Sequence, residues 1–393
     1  MAAFVSSLFS EFQEIPAAKA PDIKERKRRN PFLWRGQFPP ELVASLLDSY
    51  AEPGSAVLDP FAGSGTVLLE SARKGLACTG SDTNPAALEM ARTYLFCGMA
   101  GEERKSCICA ARDLLREAGA GSMPSRTLGD SDYARISMAL RRCEGKPFVH
   151  NLLSNAILRT SLSSGASFGD IDAALETHSR IVLGLPHSDA ECRVVRADAR
   201  HLPVEDSSVD LIVTSPPYLN VFDYSRNYGR SAELLRWKPA EVAAHEIGSV
   251  DRVNPFLSVI RYALDLRLAL CEMRRVLNGG GRAILVVGRE SRIRGITFAD
   301  SALAYALAAG GCGFALALRQ ERRFTTPDGN DVVEDILHLV PRDSAGERDG
   351  TARDSAKLML KDALAKSKGR DREGIRKALK EVRTLKPTPF LDA

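Results

Sequence analysis

The chain lacks a membrane span: none of its apolar runs approaches the roughly twenty residues that cross a bilayer. A short apolar patch lies between Met1 and Gln13, but no basic flank precedes it, which argues against a secretory signal. Metal-type cysteine spacing is also missing. The eight cysteines are scattered. Cys107 and Cys109 stand too close for the usual zinc hook, and no His or Cys cluster completes them. No metal is expected, the thiols are expected to be reduced, and a cytoplasmic location follows. Charge of one sign is scarce too. A formal net charge of +4 neither requires nor excludes nucleic acid, so local basic clusters matter more than the sum. With 44% hydrophobic and 26% charged residues, the composition is that of a soluble globular protein, and 393 residues allow one large domain or two.

The most informative stretch is Val209-Asp210-Leu211-Ile212-Val213-Thr214-Ser215-Pro216-Pro217-Tyr218. Its β-branched, apolar first half reads as a buried strand. The two prolines remove two backbone donors and fix φ, so the ladder must stop there. Ser215 and Pro216 each precede a proline and are pushed towards extended geometry. A stiff turn at the carboxyl end of a strand results, and in open α/β sheets ligands bind at that end.

A second strand–turn–helix lies upstream, in Val57-Leu58-Asp59-Pro60-Phe61-Ala62-Gly63-Ser64-Gly65-Thr66. Gly63 and Gly65 permit a tight turn and close approach of a ligand, and the helix after it points its amides at a bound group. The turn is not a phosphate-cradling Walker loop, since no Lys follows the second glycine. It also fails the dinucleotide fingerprint, because Leu68 stands where the third glycine should be. A strand over 77–82 ends in Asp82, about twenty residues beyond the glycines, where a carboxylate can hold the two hydroxyls of a ribose. The alternative for Asp82 is a cap on the helix that starts at Pro85.

Together the two motifs resemble those of the amino-methyltransferase family, S-adenosylmethionine-dependent enzymes that methylate exocyclic amines of DNA bases. In that family the (Asp/Asn/Ser)-Pro-Pro-(Tyr/Phe/Trp) turn is catalytic and Asp-Pro-Phe-x-Gly-x-Gly-Thr holds the cofactor. The resemblance implies catalytic roles for Ser215, Pro216, Pro217 and Tyr218. It implies S-adenosylmethionine contacts for Asp59, Phe61, Gly63, Gly65 and Thr66, with Asp82 and Asn84 in the second-strand segment. Phe38 would pack near the methionine end of the cofactor, unless it is a core aromatic. Asp198 would approach the adenine amino group, unless it belongs to a surface turn. Ser at the first position is the form usual among cytosine-N4 enzymes, so the resemblance favours N4-methylcytosine in DNA. N6-adenine methylation, a base amine of RNA, and a catalytically silent DNA-binding homologue are the alternatives.

The expected fold is α/β: a Rossmann-like methyltransferase sheet, mostly parallel with an antiparallel edge strand, a helical insertion and a helical C-terminal tail. Residues 1–29 read as a basic arm, with Lys24-Glu25-Arg26-Lys27-Arg28-Arg29 either a solvated linker or a phosphate contact. The cofactor-binding part spans 30–97. An insertion of short helices with Gly/Ser joints spans 98–190, either a cap or a target-recognition unit. The catalytic part spans 191–341. There Asn220, Asp223, Tyr224 and Arg226 suit a loop that holds a displaced base, unless they start a helix. A helix over 254–277 is expected to end at Gly279-Gly280-Gly281. A charged tail spans 342–393, with Ile375, Ala378, Leu379 and Val382 on one face that must dock on the body or on a partner protomer. Duplex DNA with a flipped base is the implied partner; a homodimer and a restriction-endonuclease partner stay open.

Overall fold

The computed structural model describes all residues except 1, 20–29, 33, 35–36, 122, 161–164, 220–228, 249–250, 252, 327–328, 343–349 and 392–393. The chain begins with α1 (Ala2–Glu14) and a short β1 (Ala18–Lys19), then α2 (Pro40–Tyr50), β2 (Ala56–Asp59), α3 (Thr66–Arg73), β3 (Ala77–Asp82) and α4 (Pro85–Arg92). A 3₁₀ turn (Thr93–Gly98) leads into four helices: α5 (Gly101–Gly119), α6 (Asp130–Arg141), α7 (Pro147–Thr160) and α8 (Phe168–Leu183). The sheet resumes with β4 (Cys192–Arg196) and β5 (Val209–Thr214), followed by α9 (Gly229–Leu234), α10 (Pro239–His245), α11 (Leu257–Val276) and β6 (Leu277–Gly288). A small hairpin of β7 (Ser291–Ile293) and β8 (Ile296–Phe298) precedes α12 (Asp300–Gly311), β9 (Phe314–Thr325), β10 (Asp331–Pro341), α13 (Thr351–Lys366) and α14 (Gly369–Glu381).

Eight strands form one sheet in the order β1-β9-β10-β6-β5-β2-β3-β4. The pairs β3–β4, β2–β3, β2–β5 and β5–β6 are parallel, whereas β10 runs antiparallel to both β6 and β9. This is the mostly parallel Rossmann-like sheet expected of a methyltransferase fold. The reversed strand is β10, which sits inside the sheet because β9 and then β1 pair beyond it. Alternate residues of the central strands serve opposite faces. Leu211 and Val213 join one hydrophobic core, and Ile212 joins the other; Ile284 and Val286 likewise face away from Ala283, Leu285 and Val287. Both faces are covered, which is why these strands read as unbroken apolar runs rather than alternating ones.

Several expectations are corrected. The segment before residue 30 is not all arm: Val5, Leu8 and Phe12 are buried, and Arg319 holds the end of α1 through the Phe12 and Ile15 carbonyls at 3.0 and 3.1 Å. The basic run over 24–29 lies outside the described residues. Gly279, Gly280 and Gly281 do not cap α11; they belong to β6, where Gly281 passes so close to Asp210 that a Cβ would stand 2.8 Å from its carbonyl oxygen. Cys271 and Cys312 are joined by a disulfide rather than reduced, because α11 packs against the end of α12 and brings their Cα atoms to 4.7 Å. The tail docks on the body: Ala356, Met359, Leu360, Ala363, Ile375, Ala378 and Val382 are buried in the core that α11 and α12 build. Among the described residues, no helix is long and apolar enough to cross a membrane.

Candidate active site

The parallel strands β2, β3, β4 and β5 end along one edge, and a cleft of about 960 Å³, measured to its open mouth, lies over their carboxyl ends. That is the place where doubly wound sheets bind their ligands. One wall is the turn after β2, with Asp59, Phe61, Gly63 and Thr66 on the cleft. The facing wall is Ser215, Pro216, Pro217 and Tyr218. Asp82 and Asp198 line it from the ends of β3 and β4, and Phe38 from the segment before α2.

Asp59 ties the two walls together. Its Oδ1 accepts from the Phe61 amide at 3.1 Å and from Thr214 Oγ1 at 2.7 Å. Thr214 is the residue before Ser215, so one carboxyl fixes the glycine turn and the Ser-Pro-Pro-Tyr turn relative to each other. Burial pushes the Asp59 carboxyl up to about 7, the hydrogen bonds from Thr214 and Phe61 opposing it. Asp82 accepts from the Gly63 amide at 3.0 Å through Oδ2 and from the Asn84 amide at 2.8 Å through Oδ1. Burial raises it to about 6. The Thr83 amide bonds it as well, so of a carboxylate's about four acceptor positions about one remains for a ribose hydroxyl.

Three of the expected cofactor contacts already serve the fold. Gly65 lies behind the cleft in the left-handed region, at φ +84°, and a Cβ there would stand 2.8 Å from the Tyr94 ring. It shapes the turn and is not among the residues that line the cleft. Asn84 caps α4: its Oδ1 accepts from the Ala86 amide at 2.9 Å, so Asn84, not Asp82, fills the cap position, and its side chain is buried away from the cleft. Asp198 lines the cleft, but its carboxylate is already used. Oδ1 accepts from the Arg200 amide and Nε at 3.0 and 2.9 Å, and Oδ2 from Arg200 Nη2 at 2.6 Å and the Leu391 amide at 3.3 Å. Those four bonds take up its roughly four acceptor positions, while the residue itself lines the cleft. Asn220, Asp223, Tyr224 and Arg226 lie outside the described residues.

The structure also adds residues. Gln37 donates from Nε2 to Ser64 Oγ at 2.7 Å, and Asn30 donates to the Phe38 carbonyl at 2.8 Å while accepting from Thr66 Oγ1 at 3.3 Å. These bonds clasp the segment before α2 onto the glycine turn, and bring Trp34 over Gly63, where a Cβ would meet Nε1 at 3.0 Å. Nothing in the sequence marks Asn30 or Gln37, which are common residues in an irregular stretch. His245, Glu246 and Ile247 close the cleft from the end of α10. Tyr218 does not project freely: its hydroxyl donates to Glu334 Oε1 at 3.0 Å.

Residues 17–93 match the family model described as DNA methylase. That span holds the glycine turn, β3 and Asp82; the Ser-Pro-Pro-Tyr turn lies beyond it. No curated protein matches the sequence. Among solved structures, a SAM-dependent methyltransferase from Methanosarcina mazei is 16% identical, with 76% of this chain and 98% of that chain covered and a TM-score of 0.35. A TehB-like SAM-dependent methyltransferase from Corynebacterium glutamicum is 12% identical, covering 76% and 87%, with a TM-score of 0.31. A protein from Pyrococcus horikoshii is 14% identical, covering 85% and 99%, with a TM-score of 0.34. What the cleft can do follows from its own residues.

Proposed function

We propose that the protein is an S-adenosylmethionine-dependent methyltransferase that modifies the exocyclic amine of a DNA base, with cytosine N4 the favoured acceptor. The observation that carries this reading is that one cleft is lined by both the Asp59–Thr66 turn and the Ser215–Tyr218 turn, which Asp59 holds together through Thr214. The cofactor would fit along the first wall. Asp82 has an acceptor position for a ribose hydroxyl, Phe38 and Phe61 supply apolar surface, and Trp34 closes the site over Gly63. When bound, the cofactor supplies a methyl group already activated by a sulfonium charge.

The chain's own residues must then orient the acceptor. A base amine is a weak nucleophile because its lone pair is delocalised into the ring. The Ser215 hydroxyl and the Pro216 carbonyl can accept its two N–H hydrogens, which favours a pyramidal nitrogen with its lone pair aimed at the methyl carbon. The Tyr218 ring offers a stacking surface, and the base must leave the duplex to reach it. In-line placement of donor and acceptor supplies most of the rate. Ser rather than Asp or Asn at position 215 is the ground for favouring cytosine N4, and the match to a DNA methylase model over 17–93 supports DNA.

The test is methyl transfer from labelled S-adenosylmethionine to duplex DNA and to bulk RNA, followed by nucleoside mass spectrometry. N4-methylcytosine in DNA is expected. N6-methyladenine would keep the chemistry and remove the inference from Ser215, and a methylated base in RNA alone would overturn the DNA assignment.

A further inference from the structure

The segment before α2 supplies Trp34, Gln37 and Phe38 to the cleft, and a residue of the helical insertion holds that segment from behind. Arg159, in the last turn of α7, donates from Nη1 and Nη2 to the Pro31 carbonyl at 3.0 and 2.9 Å. Its guanidinium carbon stands 5.4 Å from the centre of the Phe32 ring. That ring is buried, edge-on to Tyr94 at 6.3 Å and tilted against His178 of α8 at 5.7 Å. From Phe32 the path continues to the cleft: Gln37 Nε2 donates to the Phe32 carbonyl at 3.0 Å and to Ser64 Oγ, in the glycine turn, at 2.7 Å. Arg159 itself does not line the cleft.

Both ends of this path are anchored. Asn151 and Asn155 fix α7 to the body, each donating from Nδ2 to the Glu89 carbonyl of α4, at 2.7 and 2.9 Å. The planar fork of an arginine presents two N–H groups to the two lone pairs of one carbonyl, and a charged donor makes the stronger bond. The same guanidinium lies over an aromatic ring, which adds a cation–π attraction. We propose that Arg159 is a positioning residue through which the insertion braces the segment that closes the cofactor side of the cleft, and that the insertion thereby sets how tightly and how long S-adenosylmethionine is held. This rests on the cofactor half of the reading above and holds equally for an acceptor in DNA or in RNA. It gives the insertion a task on the cofactor side, one step removed from the ligand.

Arg159→Met keeps an apolar stem and removes the fork. Binding of S-adenosylhomocysteine to the full chain is measured by calorimetry, and its dissociation rate by stopped-flow fluorescence. The chain has two tryptophans, so Trp237→Phe leaves Trp34, on the cleft wall, as the reporter. Arg159→Met should weaken binding about tenfold and speed dissociation by a similar factor, the loss expected of a charged donor. Arg159→Lys keeps the charge without the fork or the planar face, and should weaken binding about threefold. It also serves as the test should the Met variant fail to fold. Because Gln37 carries the brace onto Ser64, Arg159→Met in a Gln37→Ala background should cost less than about threefold further. A merely structural role would lower the melting temperature and leave both the affinity and the coupling to Gln37 unmoved.

Wild-type affinity and dissociation rate in Arg159→Met, or in Arg159→Lys if only that variant folds, overturn the proposal. An equal cost with and without Gln37 overturns it as well. Failure of the cofactor reading looks different: the wild type itself would not bind S-adenosylhomocysteine, which removes the cofactor assignment and the brace together. The expected loss in a protein that methylates adenine or RNA keeps the brace and removes only the acceptor assignment.

Discussion

Replacing Arg200 with Met would test how the wall at Asp198 is held. The guanidinium is fully enclosed. It bonds Asp198 at 2.6 and 2.9 Å, Asp265 at 2.7 Å, and the Thr388 and Pro389 carbonyls at 2.7 and 2.9 Å. The side chains of Arg200 and Asp265 are 0% exposed and that of Asp198 is 3% exposed, so solvent screens none of this. Met fills much of the volume but leaves two buried carboxyls without a cation, and breaking a buried pair in this way costs about 3–5 kcal/mol. With an unfolding entropy of roughly 0.8 kcal/mol/K for a chain of this length, that corresponds to a melting temperature lower by about 4–6 °C.

The pH dependence of the loss carries a sign. Burial raises the Asp198 carboxyl, but the hydrogen bonds and charge of Arg200 outweigh it and hold the group below its ordinary value. Its contribution is therefore present above the unfolded value near 3.9 and disappears as pH falls through the folded one. In the variant the backbone amides of residue 200 and Leu391 still bond the carboxylate, but without the guanidinium burial outweighs them, so protonation relieves the strain. The gap between wild type and Arg200→Met should be widest at neutral pH and shrink towards pH 4. Thermal melts followed by circular dichroism at several pH values measure it. A loss under about 1 °C at neutral pH, or a gap constant down to pH 4, would refute the reasoning.

Asp82→Asn should weaken S-adenosylhomocysteine binding about tenfold, as read by calorimetry. Because burial raises Asp82 to about 6 and Asp59 to about 7, both take up protons more readily in the folded state than in the unfolded one. They therefore favour the ligand-free fold as pH falls from 7 towards 4, while a ligand that needs the carboxylates should bind less well below about pH 6. Affinity unchanged from pH 8 to 5.5 would remove Asp82 from the site. Deleting the chain after Pro341 strips α13 and α14 from the core they share with α11 and α12, so the product should be insoluble or lack a cooperative melt. A soluble, cooperatively folding product would show that the tail only covers a finished body.

The local sequence determined a good deal. Apolar runs located β2 and β5, because strands buried on both faces need no polar alternation. The prolines at 216 and 217 dictated where β5 must stop, and Asp59 to Thr66 announced a ligand turn, since backbone chemistry at those positions leaves few choices. What the tertiary structure decided was which polar groups were already satisfied. Asp198 and Asp82 look alike in sequence, each at a strand end, yet four bonds engage Asp198 while three amides bond Asp82 and leave it about one acceptor position. The difference comes from Arg200 and Leu391, and the second of these lies 193 residues away along the chain. Glu334 stands 116 residues from Tyr218 and carries no motif, so only the pairing of β10 with β6 brings it to the catalytic turn. The docking of α14 was equally open in sequence, because an amphipathic face requires burial but does not name the surface that provides it. Propensity and steric limits act within a few residues and can be read locally; hydrogen-bond saturation depends on partners that only the fold assembles.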